Sequence, residues 1–276
     1  MVIQVTSIPA VSSPAVSAGM IVPIHDRRLV QVHCFGRFEV LRAGEPVEYW
    51  RRAKAKTLLK YLIARRQPVP RDVLLDLLWP ESDPELASNG LRVVLHALRQ
   101  SLGCEAHEWI VLEGGNYRLH SRSPVWVDVD EFQSNYASGR RIERQQPAMA
   151  AHHYEIAEDL YRDDYLVEDI YEEWTLARRE ELNDQYLMLL TKLADYASQQ
   201  GDDEGCIMRC HKILQKDRCR EDAHRRLMRS YARLGQRSQA LHWYDVCVDT
   251  LEAVLDMQPS EQTRVLHQQI LAGKSV

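Results

Sequence analysis

Two glycines, Gly201 and Gly235, stand 34 residues apart, and this spacing constrains the second half of the chain more than any other feature. In the same frame Leu193 aligns with Leu227, Ala197 with Tyr231, Cys206 with Ala240 and Cys210 with Tyr244. Small or aromatic residues recur where helices must approach or interlock. A period of this length fits one pair of helices per unit, each unit burying its apolar face only by stacking on the next. From Ala148 onward nearly every stretch has helical periodicity, so the second half reads as an all-α stack.

The first half follows a different rhythm. "LVQVHCFGRFEVLRAGEPVEYW" alternates apolar and polar residues through Val30, Val32, Cys34, Phe38 and Val40, with turn points at Gly36 and Ala43-Gly44, and predicts a small antiparallel sheet. "KAKTLLKYLIARR" gathers Leu58, Leu59, Leu62 and Ile63 on one helical face before Pro68 and Pro70 stop it. A second short helix runs between Pro70 and Pro80, and a third opens at Pro84 and Glu85 and closes at Gly103. Beyond it, two alternating runs flank Gly114-Gly115-Asn116, a strong hairpin signal.

The third helix has two faces. Leu91, Val94, Leu95, Leu98 and Leu102 form an apolar stripe that requires a core. Asn89, Arg92, His96 and Arg99 line another face with no acid among them. A solvated surface accounts for such a face in isolation; a negatively charged partner is the alternative.

Composition sharpens the choice. A chain of 276 residues with 45% hydrophobic content suits two soluble domains. The net charge of -5 hides a split: 15 Arg/Lys against 13 Asp/Glu from Arg28 to Asp130, then 19 against 26 from Glu131 onward. A near-neutral half with local basic clusters, chiefly Arg51, Arg52, Lys54 and Lys56, precedes an acidic half, an asymmetry that points to a polyanion at the first. The six cysteines lack CxxC spacing and fit a reduced cytoplasm, and Cys206, Cys210 and His211 read as packed helix residues rather than a zinc site. Residues 1–27 read as a flexible tail, since Pro9 and Pro14 interrupt any membrane span and a basic leader region is missing. HExxH, GxSxG and GxxxxGK[ST] do not occur, and His152-His153 has no partners in sequence that would make it catalytic.

Sheet, three helices and hairpin is the order of a winged helix-turn-helix. The first half resembles the OmpR/PhoB-type DNA-binding domain, and more closely its version in the Streptomyces antibiotic regulatory protein (SARP) family. The likeness runs through Lys54, Lys56, Leu58 and Leu59; through Val73, Leu74, Leu75, Leu78, Trp79 and Pro80; through Leu91, Arg92, Val93, Leu95, Leu98, Arg99 and Leu102; and through Gly115, Tyr117 and Leu119. One departure is Leu112-Glu113, where many relatives carry an Arg before the wing glycines; Arg118 is the nearby candidate to compensate. In the second half the period is that of tetratricopeptide repeats. "LYRDDYLVEDIYEEWTLARREEL" and "EAVLDMQPSEQTRVLHQQI" resemble the bacterial transcriptional activator domain that partners the winged helix in this family, with Asp164 and Asp256 where glycines are usual.

The expected architecture is mainly α with a small β component: a tail at 1–27, a winged helix-turn-helix at 28–130 and a tetratricopeptide-like activator domain at 131–276. The resemblance implies a cytoplasmic, non-enzymatic transcriptional activator without cofactor or metal, bound to double-stranded promoter DNA and not to a membrane. The third helix would enter the major groove, with Asn89, Arg92, Val93, His96 and Arg99 at base edges. Arg51, Arg52, Lys54 and Lys56 would hold phosphates, and Gly115, Asn116, Tyr117 and Arg118 would form the wing. Direct-repeat half-sites, a head-to-tail homodimer on DNA and recruited RNA polymerase follow from the same likeness. The repeat half would dimerise, touch polymerase, or sense a small-molecule or protein effector. The alternative function is an interaction or ligand-sensing scaffold whose winged helix mediates protein contacts.

Overall fold

The alternating run that starts at Val30 becomes β1 (Val30–His33), paired antiparallel with β2 (Glu39–Arg42) in the register Val30↔Arg42 to His33↔Glu39. β3 (Glu45–Pro46) continues the sheet after the turn at Ala43-Gly44, where both residues have positive φ. The computed structural model describes residues 30–103, 109–120 and 125–276, so the stretch 1–27 and Cys104 lie outside the described residues.

Three helices follow: α1 (Ala53–Arg65), α2 (Arg71–Leu78) and α3 (Pro84–Leu102). Asp83 caps α3 by accepting from the amides of Glu85 and Leu86 at 2.9 and 3.3 Å, and Pro84 occupies the first turn, where no amide is needed. Leu58, Leu59 and Leu62 of α1, Leu74 of α2, and Leu91 and Leu98 of α3 are fully buried together, so the apolar stripes meet in one core. A second sheet, ordered β4-β6-β5, joins β4 (Val69–Pro70), β5 (Ile110–Glu113) and β6 (Asn116–Leu119). Gly114 and Gly115 turn the β5–β6 hairpin with φ of +57° and +84°, a pair of left-handed conformations that suits a two-residue turn.

The seventh strand differs from the sequence expectation. β7 (Val125–Val127) leaves the hairpin region and lies parallel to β1, with Val30↔Val125 and Val32↔Val127, completing the sheet order β3-β2-β1-β7. Its chain runs directly into α4 (Asp128–Ile142), the first helix of the repeat half. The remaining helices are α5 (Pro147–Leu160), α6 (Glu173–Gln200), α7 (Asp203–Lys216), α8 (Glu221–Arg233), α9 (Arg237–Leu255) and α10 (Glu261–Leu271).

α4 packs on α5, α6 on α7 and α8 on α9, each an antiparallel pair. Gly201 ends α6 and Gly235 follows α8, with φ of +77° and +74°, which explains the glycine at each period. Asp256 caps α9 at φ +51°, so the left-handed turn survives where the resembled family uses glycine. Cys206 and Cys210 of α7 are buried free thiols within this packing. Side-chain bonds run from α4 to α6 (Gln133 to Gln185), α6 to α8 (Asp195 to Arg226) and α8 to α10 (Arg225 to Thr263). Others run from α5 to α7 (Glu158 to Lys212), which separates two layers: α4, α6, α8 and α10 in one, α5, α7 and α9 in the other.

The two halves share a bonded seam. The buried carboxylate of Asp128 accepts from the amides of Cys34, Phe35 and Val129 at 2.8 to 3.0 Å, and burial raises its pKa to about 6. Leu166 donates its amide to the Cys34 carbonyl at 2.8 Å and Gly36 donates to Asp164 at 3.0 Å, so residues 34–36 extend into the loop after α5. Phe35 packs edge to face on Phe132 across the seam, Tyr161 lies tilted against both rings, and Tyr161 stacks on Tyr186 at 3.9 Å.

Candidate nucleic-acid interface

The face of α3 opposite the core carries Asn89, Arg92, Val93 and His96 in exposed positions. Because Leu91, Val94, Leu95 and Leu98 are buried, the rotation of the helix is fixed and these four residues point outward together. His96 Nε2 lies 2.9 Å from the Gln100 side-chain nitrogen, one turn further along. Arg99 is half-buried and donates to the Ile110 carbonyl of β5 at 3.3 Å, which braces α3 against the wing.

Close packing sets the height of α3 above α2. A Cβ on Gly90 would come within 2.7 Å of the Trp79 ring, so glycine is what allows this approach. On that ring Lys54 sits with its ammonium 4.4 Å from the ring centroid, and it donates to the Leu78 carbonyl at 2.6 Å. Lys54 therefore satisfies the end of α2 as a capping cation. Lys56 is engaged as well, its ammonium 3.3 Å from Glu168 in the short turn Val167–Asp169 before α6. Arg37 meets the same carboxylate at 3.3 Å, and buried Lys60 meets Asp169 at 2.5 Å. Glu168 is held below the usual carboxylate range by Lys56, Arg37 and Lys60, which outweigh the cost of its partial burial. Arg51 and Arg52 are exposed just before α1.

In the wing, Tyr117 is buried and pairs with Val69 of β4, whereas Asn116 and Arg118 are half-buried. Arg118 forks onto Glu113 of its own hairpin at 2.9 to 3.2 Å, so the acid that replaces the usual arginine also occupies the residue that stood to compensate. Arg71 was not singled out by the sequence reading. It opens α2 directly after Pro70, donates its amide to the Gly115 carbonyl at 3.2 Å and bonds the Ser88 hydroxyl beside Asn89. A basic residue at the first turn of the helix that precedes α3 was the available signal.

Residues 127–271 match the family model "Bacterial transcriptional activator domain". The chain belongs to this family. It is a transcriptional regulator of the SARP type. The "Transcriptional regulatory protein MoaR1" of Mycobacterium tuberculosis is 25% identical over 246 residues, covering 88% of this chain and 79% of that protein, and the protein of the same name from Mycobacterium bovis matches equally. The fold is also that of Mycobacterium tuberculosis EmbR, solved in complex with a low-affinity phosphopeptide: TM-score 0.75, 21% identity, 90% of this chain covered. The chain spans 66% of the length of EmbR. Among the described residues of this bacterial transcriptional activator domain protein, no helix is long and apolar enough to cross a membrane.

Proposed function

We propose that the chain binds double-stranded promoter DNA sequence-specifically, inserting α3 into the major groove, and activates transcription by recruiting RNA polymerase through its helical repeat. The observation that carries this reading is the exposed Asn89, Arg92, Val93 and His96 face, which is backed by a buried stripe and has an acid, Glu85, only at its N-terminal end. Arg and Asn have the donor geometry for guanine and adenine edges, and the Val93 methyls suit a thymine methyl. Arg99 belongs to this set at its far end and reaches a base only by leaving the Ile110 carbonyl. Arg51 and Arg52 are the first choices for phosphate; Lys54 and Lys56 join them by giving up Leu78 and Glu168. The wing residues Gly115, Asn116, Tyr117 and Arg118 take the backbone beside the groove, and Arg71 is added to the phosphate set.

One such helix reads few base pairs, so two copies on direct repeats give the specificity that a genome demands. The half-sites are expected about 10 to 10.5 bp apart, or a multiple, so that both copies face one side of the duplex. The acidic half from residue 131 onward contributes protein contacts to polymerase, to the second copy or to an effector, and the cytoplasm is where these partners meet. Fluorescence anisotropy against specific and random duplexes at several salt concentrations tests the reading. Sequence-dependent affinity that falls steeply with salt supports it, and salt-independent or sequence-blind binding contradicts it.

A further inference from the structure

The layer formed by α4, α6, α8 and α10 holds an arginine row that DNA binding does not use. Arg225, Arg229 and Arg233 recur every fourth residue of α8 and so share one face, each about 6 Å beyond the last. Their neighbour Arg226 is fully engaged, 2.7 Å from both Asp195 and Asp222. The two ends of the row have partners within the chain, although their nearest carboxylates stand 3.6 and 3.7 Å away. Arg225 lies 3.6 Å from Glu221 and donates to Thr263 Oγ1 at 2.9 Å. Arg233 lies 3.7 Å from Asp203 and donates to Ser198 and to the Val276 carbonyl.

Arg229, between them, is half-buried and has no hydrogen bond or ion pair among the described residues. Burial lowers its pKa, and the charges of Arg225, Arg233 and Arg226 lower it further. A partly desolvated guanidinium ringed by like charges is unfavourable until an anion arrives. The absence of that anion from the chain's own side chains is the observation that points outward.

We propose that the Arg225, Arg229 and Arg233 row of α8 docks an extended acidic segment of a protein partner. Spacing selects this occupant over a compact anion. Alternate side chains of an extended strand stand about 6.6 to 6.8 Å apart, close to the helical step of about 6 Å, so three acids in alternation meet three arginines. A single phosphate would engage only one step. The domain's net negative charge does not cancel the row, because at physiological salt screening acts within about 8 Å and the nearest charges dominate. This inference is independent of the DNA reading, which concerns the other half of the chain.

The test uses the full chain and a labelled peptide of alternating Glu and Ser, with the Gln-Ser peptide as control. Anisotropy should show saturable binding of the Glu peptide alone. Arg229→Gln should weaken it about tenfold. Arg229→Lys should retain most of it, and Arg42→Gln, an exposed arginine of β2, should leave it unchanged. Circular-dichroism melts establish that each variant is folded. Binding that survives Arg229→Gln, or that falls equally in Arg42→Gln, overturns the proposal. Displacement by inorganic phosphate or a nucleoside triphosphate at lower concentration than unlabelled Glu peptide also overturns it, in favour of a small-anion site.

Discussion

The ammonium of Lys56 lies 3.3 Å from a carboxylate oxygen of Glu168, 112 residues further along the chain. A cation of α1 that is proposed to hold a DNA phosphate is thus held by a turn of the activator domain, and Arg37 shares the same acid. On the proposed reading, DNA affinity depends on the seam between the halves. Glu168→Gln frees both cations. Affinity for any duplex should rise, and the slope of log K against log salt should steepen by about one for each new phosphate contact. An unchanged slope would mean that Lys56 and Arg37 face away from the nucleic acid.

Base-edge and phosphate residues should separate cleanly. Arg92→Ala is expected to cost about 1 to 3 kcal/mol on the preferred site and much less on random DNA. Arg51→Ala with Arg52→Ala should weaken both alike. Competition titrations with the two duplexes distinguish these patterns, and equal losses for Arg92→Ala would reassign it to the backbone.

Gly90→Ala should destabilise the first half by about 1 to 3 kcal/mol, because its new methyl falls on the Trp79 ring and pushes α3 away from α2. Denaturant unfolding measures this. A combined Gly90→Ala, Trp79→Leu variant should recover part of the loss, whereas additivity would show that the two residues do not press on each other.

Asp128 makes stability depend on pH in an unusual direction. Its pKa is raised by burial to about 6, so the folded chain holds this proton more tightly than the unfolded chain does. The proton's contribution is complete below the unfolded value near 3.9 and is lost as pH rises through 6. Relative to Asp128→Asn, the native chain should therefore lose up to about 3 kcal/mol between pH 4 and 7. At pH 4 Asp128→Ala should cost on the order of 2 to 4 kcal/mol, since the Cys34 and Phe35 amides are left buried and unpaired, and this cost should shrink as pH rises through 6. Unfolding curves across this range check both statements.

Local features of the fold were legible in the sequence. α1, α2 and α3 follow from apolar periodicity with proline and glycine stops, the β5–β6 turn from Gly114-Gly115, and the helix pairs from the glycine period. The long-range pairings were not. β7 is three residues long and finds its parallel partner more than ninety residues back, where alternation carries no information. Asp128 reads as an ordinary acid at a helix start, and nothing local says that it will be buried against Cys34. In the candidate site, the outward α3 face was readable from its spacing. That Lys54, Arg99 and Arg118 have partners inside the protein depends on how α2, the wing and the seam pack.

Selection of duplexes from a random library, run in parallel with the native chain and an Asn89→Ala, Arg92→Ala variant, tests the proposed DNA-reading role of α3 most directly. The native chain should enrich a motif of two repeated half-sites centred about 10 to 10.5 bp apart, or a multiple, and the variant should lose the preference at the bases those side chains read while still retaining DNA through phosphate contacts. Enrichment of the same motif by both proteins, or of none by the native chain, would contradict it.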